Sequence, residues 1–277
     1  MLPPAAAHAQ PPQPGDDTWR APRWAGDVTF LGANAMLGGL TAGIAQRLRG
    51  GSFSDGFTRG ALGGAVAYAG RRIAAERFDG AGLLGRQVGA VAASIARNAS
   101  ERRPSLERLF FPVGPLHVYW DRSDDGGVQV KVDGYTLAVM LGAIYQPELE
   151  FDLGRSLSAG APVFWAPGRS VLRRGKSVAG MAPAGVIVLS GGRRPGTDGI
   201  LAHERTHVLQ RDFLFYAWGD PLEGWLLRWT RPSAVVYRYI SPGLAQDYVS
   251  AGLSAVLGVD DGEEPTQIEA YFLEGRR

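Results

Sequence analysis

Two of the chain's four histidines stand four residues apart, with a glutamate directly after the first: His203-Glu204-Arg205-Thr206-His207, within Ile200 to Asp212. On a helix, residues four apart share one face about a turn from each other, so both imidazoles can point at a single metal ion. Glu204 lies roughly 100° round the wheel from His203, within reach of a metal-bound water for which it can act as general base. Leu201, Val208 and Leu209 fall on the far side and suit packing against a sheet. The competing reading of the same residues is a surface helix with two solvated histidines.

A catalytic zinc site takes three protein ligands and keeps one position for water. The chain has no cysteine, which removes thiol ligands, disulfides and thiol catalysis together. No histidine follows His207; His8 lies in the N-terminal tail and is excluded, and His117 reads first as a satisfied or exposed strand histidine, so the third ligand is sought among the carboxylates. The best placed carboxylate is Glu269, in Pro265 to Leu273. That segment reads as a short amphipathic helix opened by proline, with Ile268 and Phe272 docking it and Glu269 beside them. A C-terminal helix whose Glu269 pairs with Arg276 or faces water is the plainer alternative. Glu223, Glu263 and Glu264 are the other carboxylates in reach of the argument.

His203-Glu204-x-x-His207 with a distant downstream glutamate resembles the gluzincin class of zinc metallopeptidases. Asp212, five residues after His207, resembles the motif helix of membrane-associated sensor and processing peptidases in that class. The resemblance covers Gly185 to Leu189, the motif helix and the segment around Glu269. It implies a zinc ion held by His203, His207 and Glu269, with Glu204 activating water to hydrolyse a protein or peptide substrate. Arg205 departs from the pattern, since that position usually carries an uncharged residue.

The elements that must position this motif divide into three. Residues 1–23 are rich in Pro and Ala, and Ala7-His8-Ala9 before Gln10 has the small-x-small form of a signal-peptidase site. The expectation is an upstream basic and apolar stretch, a mature start near Gln10 and an exported, periplasmic or envelope-associated bacterial protein. A disordered tail is the alternative for the same composition.

Residues 24–104 repeat small residues at every fourth position: Ala35, Gly39, Gly43; Gly56, Gly60, Gly64; Gly85, Gly89, Ala93. This glycine-zipper spacing predicts three helices with flat seams where backbones approach closely. Glycine costs about 1 kcal/mol relative to alanine inside a helix, so tight packing has to offset it. Val28 to Gln46 is uncharged and long enough to span a bilayer, although Asn34 and several glycines interrupt it. Residues 28–96, and the aromatic stretch 213–229, are the two regions through which the chain could meet a membrane.

Residues 105–277 alternate short β-branched runs with turn residues. Leu116 to Trp120 and Val128 to Val132 predict an antiparallel pair, and Asp133-Gly134 predicts a further hairpin into Tyr135 onward. Strands are also expected at Glu148 to Leu153, Pro162 to Trp165 and Gly185 to Leu189. The basic stretch 167–183 reads as a loop, and the motif helix as starting near Thr197 or Asp198. Tyr216, Tyr237, Tyr239 and Tyr271 are equal candidates to donate to an oxyanion.

The net charge is +2 with arginines dispersed, which gives no footprint for nucleic acid. The expectation is therefore an α+β chain: a zincin-like domain with a small antiparallel sheet, behind a Gly/Ala-rich helical module. Zinc-dependent peptide hydrolysis is the first function, and a non-catalytic envelope or membrane-associated scaffold the second.

Overall fold

A computed structural model describes residues 23–123, 126–167, 171–173, 176–191, 197–219, 239–241 and 265–274. The tail with Ala7-His8-Ala9 lies outside them, as do Glu223, Glu263, Glu264, Tyr237, Arg276 and the side chain of Ile268.

The small-residue stretch folds as the three helices its spacing predicts: α1 (Arg23–Leu48), α2 (Phe53–Ala74) and α3 (Ala81–Ser100). Ser52 caps α2, its hydroxyl accepting from the Asp55 amide. The seams are backbone against backbone. A Cβ on Gly38 or Gly60 would overlap the opposite backbone carbonyl, and a Cβ on Gly70 would stand 2.8 Å from the Gly85 oxygen. Apart from this seam, α1 is apolar nearly all round, with Leu40, Ile44 and Leu48 exposed. At 26 residues it is long and apolar enough to cross a membrane.

The strands β1 (Arg108–Val113), β2 (Leu116–Asp121) and β3 (Gly127–Asp133) form the expected antiparallel meander, with Val118 opposite both Phe111 and Val130. The next element differs from the hairpin that Asp133-Gly134 predicts. Gly134 opens helix α4 (Gly134–Ile144) rather than a strand, because the Asp133 carboxylate accepts from the Tyr135 and Thr136 amides as an N-cap. The same Asp-Gly pair serves a turn or a cap, and ten mostly apolar residues without alternation favour the helix.

A second sheet contains β4 (Glu150–Phe151), β5 (Val163–Ala166), β8 (Gly180–Met181) and β9 (Ile187–Ser190), in the order β4-β5-β9-β8. Its central pair, β5 with β9, is parallel, so the sheet is mixed rather than antiparallel. Helix α5 (Leu153–Ala159), capped by Asp152, makes the connection between β4 and β5. The basic stretch, expected to be a loop, contains a small hairpin, β6 (Val171–Arg173) with β7 (Lys176–Val178), before β8. A short strand β10 (Ile240–Ser241) adds to β3 in parallel.

The motif helix α6 (Thr197–Leu214) starts where the cap residues predict. Leu201 and Val208 pack on Val163, Trp165, Ile187 and Leu189 of the second sheet, as the wheel predicts. Leu209 turns instead to α3, where it meets Gly89. Full burial of each such side chain contributes about 1.5–3 kcal/mol. Beyond α6 the helix widens over Phe215–Gly219, and Phe213, Phe215 and Tyr216 enter a core with Phe110, Tyr119 and the alanines of α2 and α3. The last described element is helix α7 (Pro265–Glu274). The whole is a mixed helix and sheet protein in which α6 touches the second sheet and the small-residue helices alike.

Candidate functional site

Helix α6 brings His203 and His207 together as their spacing requires. The two Nε2 atoms stand 3.1 Å apart and the rings meet edge to face, with centroids 4.8 Å apart. Two nitrogen ligands each about 2.0–2.1 Å from a tetrahedral zinc ion lie about 3.3 Å from each other. The pair therefore already has the bite of a chelate.

The protonation of His207 follows from its neighbours. Gln210, three residues on and on the same face, donates its Nε2 to Glu269 Oε2 at 2.9 Å. A carboxylate only accepts, so the amide nitrogen must face Glu269 and the amide oxygen must face His207. That oxygen is 3.0 Å from His207 Nδ1, which must carry the hydrogen. The Nε2 lone pair then points at His203. On the His203 side, Nδ1 lies 3.4 Å from Glu274 Oε2 without the alignment of a hydrogen bond. His207 Nε2 therefore accepts at 3.1 Å from a His203 Nε2–H, and with the His203 hydrogen on Nδ1 beside Glu274 the same two atoms present their lone pairs to a cation. The donor set thus fits a zinc ion between the two Nε2 atoms.

Glu204 is buried against the edge strand: a Cβ on Gly180 of β8 would stand 3.0 Å from its Oε1. Among the described candidate tyrosines, Tyr271 is the one at the site, its ring 4.6 Å from that of His203. Tyr216 lies stacked on Phe110 in the core, and Tyr239 is exposed.

Glu269, expected as third ligand, is buried elsewhere. Its Oε1 accepts from Arg71 Nε at 3.0 Å and from Asn34 Nδ2 at 3.1 Å, and its Oε2 takes the Gln210 bond. Arg71 also donates to the Asn34 side chain. The structure joins Glu269 to His207 through Gln210 and does not bring it into one group with the two histidines. Among the described residues no group of three metal-ligating side chains forms. Sequence reasoning missed Arg71, Gln210 and Glu274. Helical spacing from His207 is a signal for Gln210, and Asn34 is the odd polar residue in an apolar run.

Arg205, the departure from the motif, reaches toward α2 and not toward the histidines. It is buried, and its Nη1 lies 3.5 Å from the Ala74 carbonyl at the end of α2. Desolvation pushes its guanidinium below the usual arginine range. Asp212 pairs with Arg86 of α3 at 2.6 Å rather than with Arg205. His117 is neither exposed nor at the site: it is buried between the rings of Phe110 and Phe215.

No family model, no curated protein and no solved structure matches this chain.

Proposed function

We propose that this chain is a zinc-dependent peptidase of zincin type, in which His203 and His207 hold the ion and Glu204 is the general base. The observation that carries this reading is the pair of Nε2 atoms facing each other at 3.1 Å, one tautomer being imposed by Gln210. Zinc, when bound, lowers the pKa of its water to about 7 and polarises a carbonyl. Glu204 takes the proton of the attacking water and passes it to the leaving amine. Tyr271, whose ring lies 4.6 Å from that of His203, would donate its hydroxyl to the tetrahedral oxyanion.

A peptide substrate is supported by strand β8. It pairs with β9 alone among the described strands, so its outer edge can add an extended chain by backbone hydrogen bonds. Gly180 sets Glu204 against that strand. An envelope location is the companion proposal, supported by the length and exposed apolar surface of α1. Nothing in the charge pattern favours nucleic acid.

A non-catalytic scaffold with a zincin-like fold is the second reading. It is favoured by the lack, among the described residues, of a group of three side chains that could hold a metal ion.

One measurement separates the readings: zinc content together with casein-type hydrolysis for wild type, His203→Ala and Glu204→Gln. The peptidase binds about one zinc per chain, which His203→Ala abolishes. Glu204→Gln keeps its zinc and loses activity by a factor on the order of a hundred to ten thousand. Zinc-loaded wild type without turnover on a broad peptide library would establish the scaffold.

A further inference from the structure

Glu269 and Glu274 both sit on α7, and each faces one histidine of the motif from the side away from the Nε2 pair. Glu274 Oε2 is 3.4 Å from His203 Nδ1, and Glu269 reaches His207 Nδ1 through the Gln210 amide. The amide cannot flip without setting its oxygen against the Glu269 carboxylate, so Glu269 decides which His207 nitrogen carries the hydrogen. Glu269 in turn is fixed from the small-residue helices, by Asn34 of α1 and Arg71 of α2. Arg71 is 2% exposed and Glu269 5%, so the middle of this chain of bonds is shut off from water, while Asn34 and His207 at its two ends are half-buried.

We propose that Glu269 is a positioning residue and not a metal ligand: acting through Gln210, it holds His207 in the Nδ1–H tautomer with the Nε2 lone pair directed at the ion. The glycine-seamed helices belong to the site by this route, because Arg71 and Asn34 orient the carboxylate that orients the amide. Outer-shell partners of this kind fix ring orientation and raise ligand basicity.

The proposal rests on the metal-site reading for its affinity measurement and not for its spectroscopic one. The spectroscopic test is nitrogen-15 NMR of the imidazoles in metal-free full chain, where the two tautomers give distinct shifts. Wild-type His207 should be the Nδ1–H form, and Glu269→Gln and Gln210→Met should both lose that preference. Gln210→Met conserves volume and leaves the Arg71–Glu269 pair intact, so it decides the question if Glu269→Gln does not fold. Wild-type His207 in the Nε2–H form, or an unchanged tautomer in folded Gln210→Met, overturns the proposal whether or not the chain binds zinc.

The affinity test is competition with a chelator. Each variant should weaken zinc binding by about 10–100-fold, and the double variant should be no weaker than the worse single one, since both break the same chain. Loss of binding in Glu269→Gln with full affinity in Gln210→Met would make Glu269 a ligand and overturn the positioning role. Absence of zinc from wild type would instead remove the metal reading and leave the tautomer result standing.

Discussion

Helix α6 carries two buried polar assemblies built from the same kinds of residue, and they end differently. On one side His203, His207 and Gln210 meet α7 and Arg71. On the other, Asp212 accepts from Arg86 at 2.6 Å, and Arg211 donates to Asp133 at 3.0 Å. Asp133 also accepts from Thr136 and faces His117 at 3.7 Å. In this second assembly each carboxylate closes on an arginine, and His117 is walled by rings with centroids 5.0 Å away on both sides. The first assembly leaves two imidazole nitrogens directed at each other, with Tyr271 39% exposed beside them. Closed ion pairs are what a fold needs; an opening to solvent beside two converging imidazole nitrogens is what a reaction needs.

The comparison breaks most visibly at Asp212. Asp212→Ala strips the carboxylate from Arg86, which is 1% exposed, and removal of one partner of a buried pair costs about 3–5 kcal/mol. Urea unfolding should show that loss, while Glu204→Gln, against β8 and outside this ion pair, leaves the midpoint nearly unmoved. Equal midpoints for Asp212→Ala and wild type would mean that the two assemblies do not differ in the way described.

His117 sharpens the contrast through pH. Burial pushes its imidazole down to about 4, against the raising influence of Asp133 and Asp212 and with Arg211 and Arg86 opposing protonation. The unfolded chain binds that proton near pH 6.5, so stability is complete above 6.5 and falls as pH drops toward 4. The loss is on the order of 3 kcal/mol across this window. Unfolding followed from pH 7 to 4 should show it, and His117→Gln should flatten the profile in that range. A profile unchanged by His117→Gln would place the acid sensitivity elsewhere.

Local spacing makes half of this legible. The histidine pair, the three small-residue helices and the packing side of α6 all follow from periods of three to four residues, which a sequence displays directly. Asp133-Gly134 is ambiguous because a turn and a helix cap use the same two residues, and only the length of the apolar run after it decides. Glu269 is legible as a carboxylate among apolar neighbours that needs a partner, but not which partner. Its partners are Gln210, 59 positions away, Arg71, 198 away, and Asn34, 235 away, and no local period encodes such contacts. The missing alternation in 171–178 hides the β6-β7 hairpin for a similar reason: two three-residue strands are too short to show a period.

The smallest effect contrasts the two kinds of glycine in α1 and α2. A Cβ on Gly64 would overlap the carbonyl oxygen of Asn34, whereas a Cβ on Gly32 meets nothing within 4 Å. Gly64→Ala must push α1 from α2, at a cost of about 1–3 kcal/mol, and the displaced residue is the one whose amide holds Glu269. Gly32→Ala gains helix propensity without a clash and should stabilise by about 0.5–1 kcal/mol. Thermal unfolding of both variants reads the two signs together. A Gly64→Ala protein as stable as wild type would show that the seam yields without cost, and the small residues would then owe their place to something other than close packing.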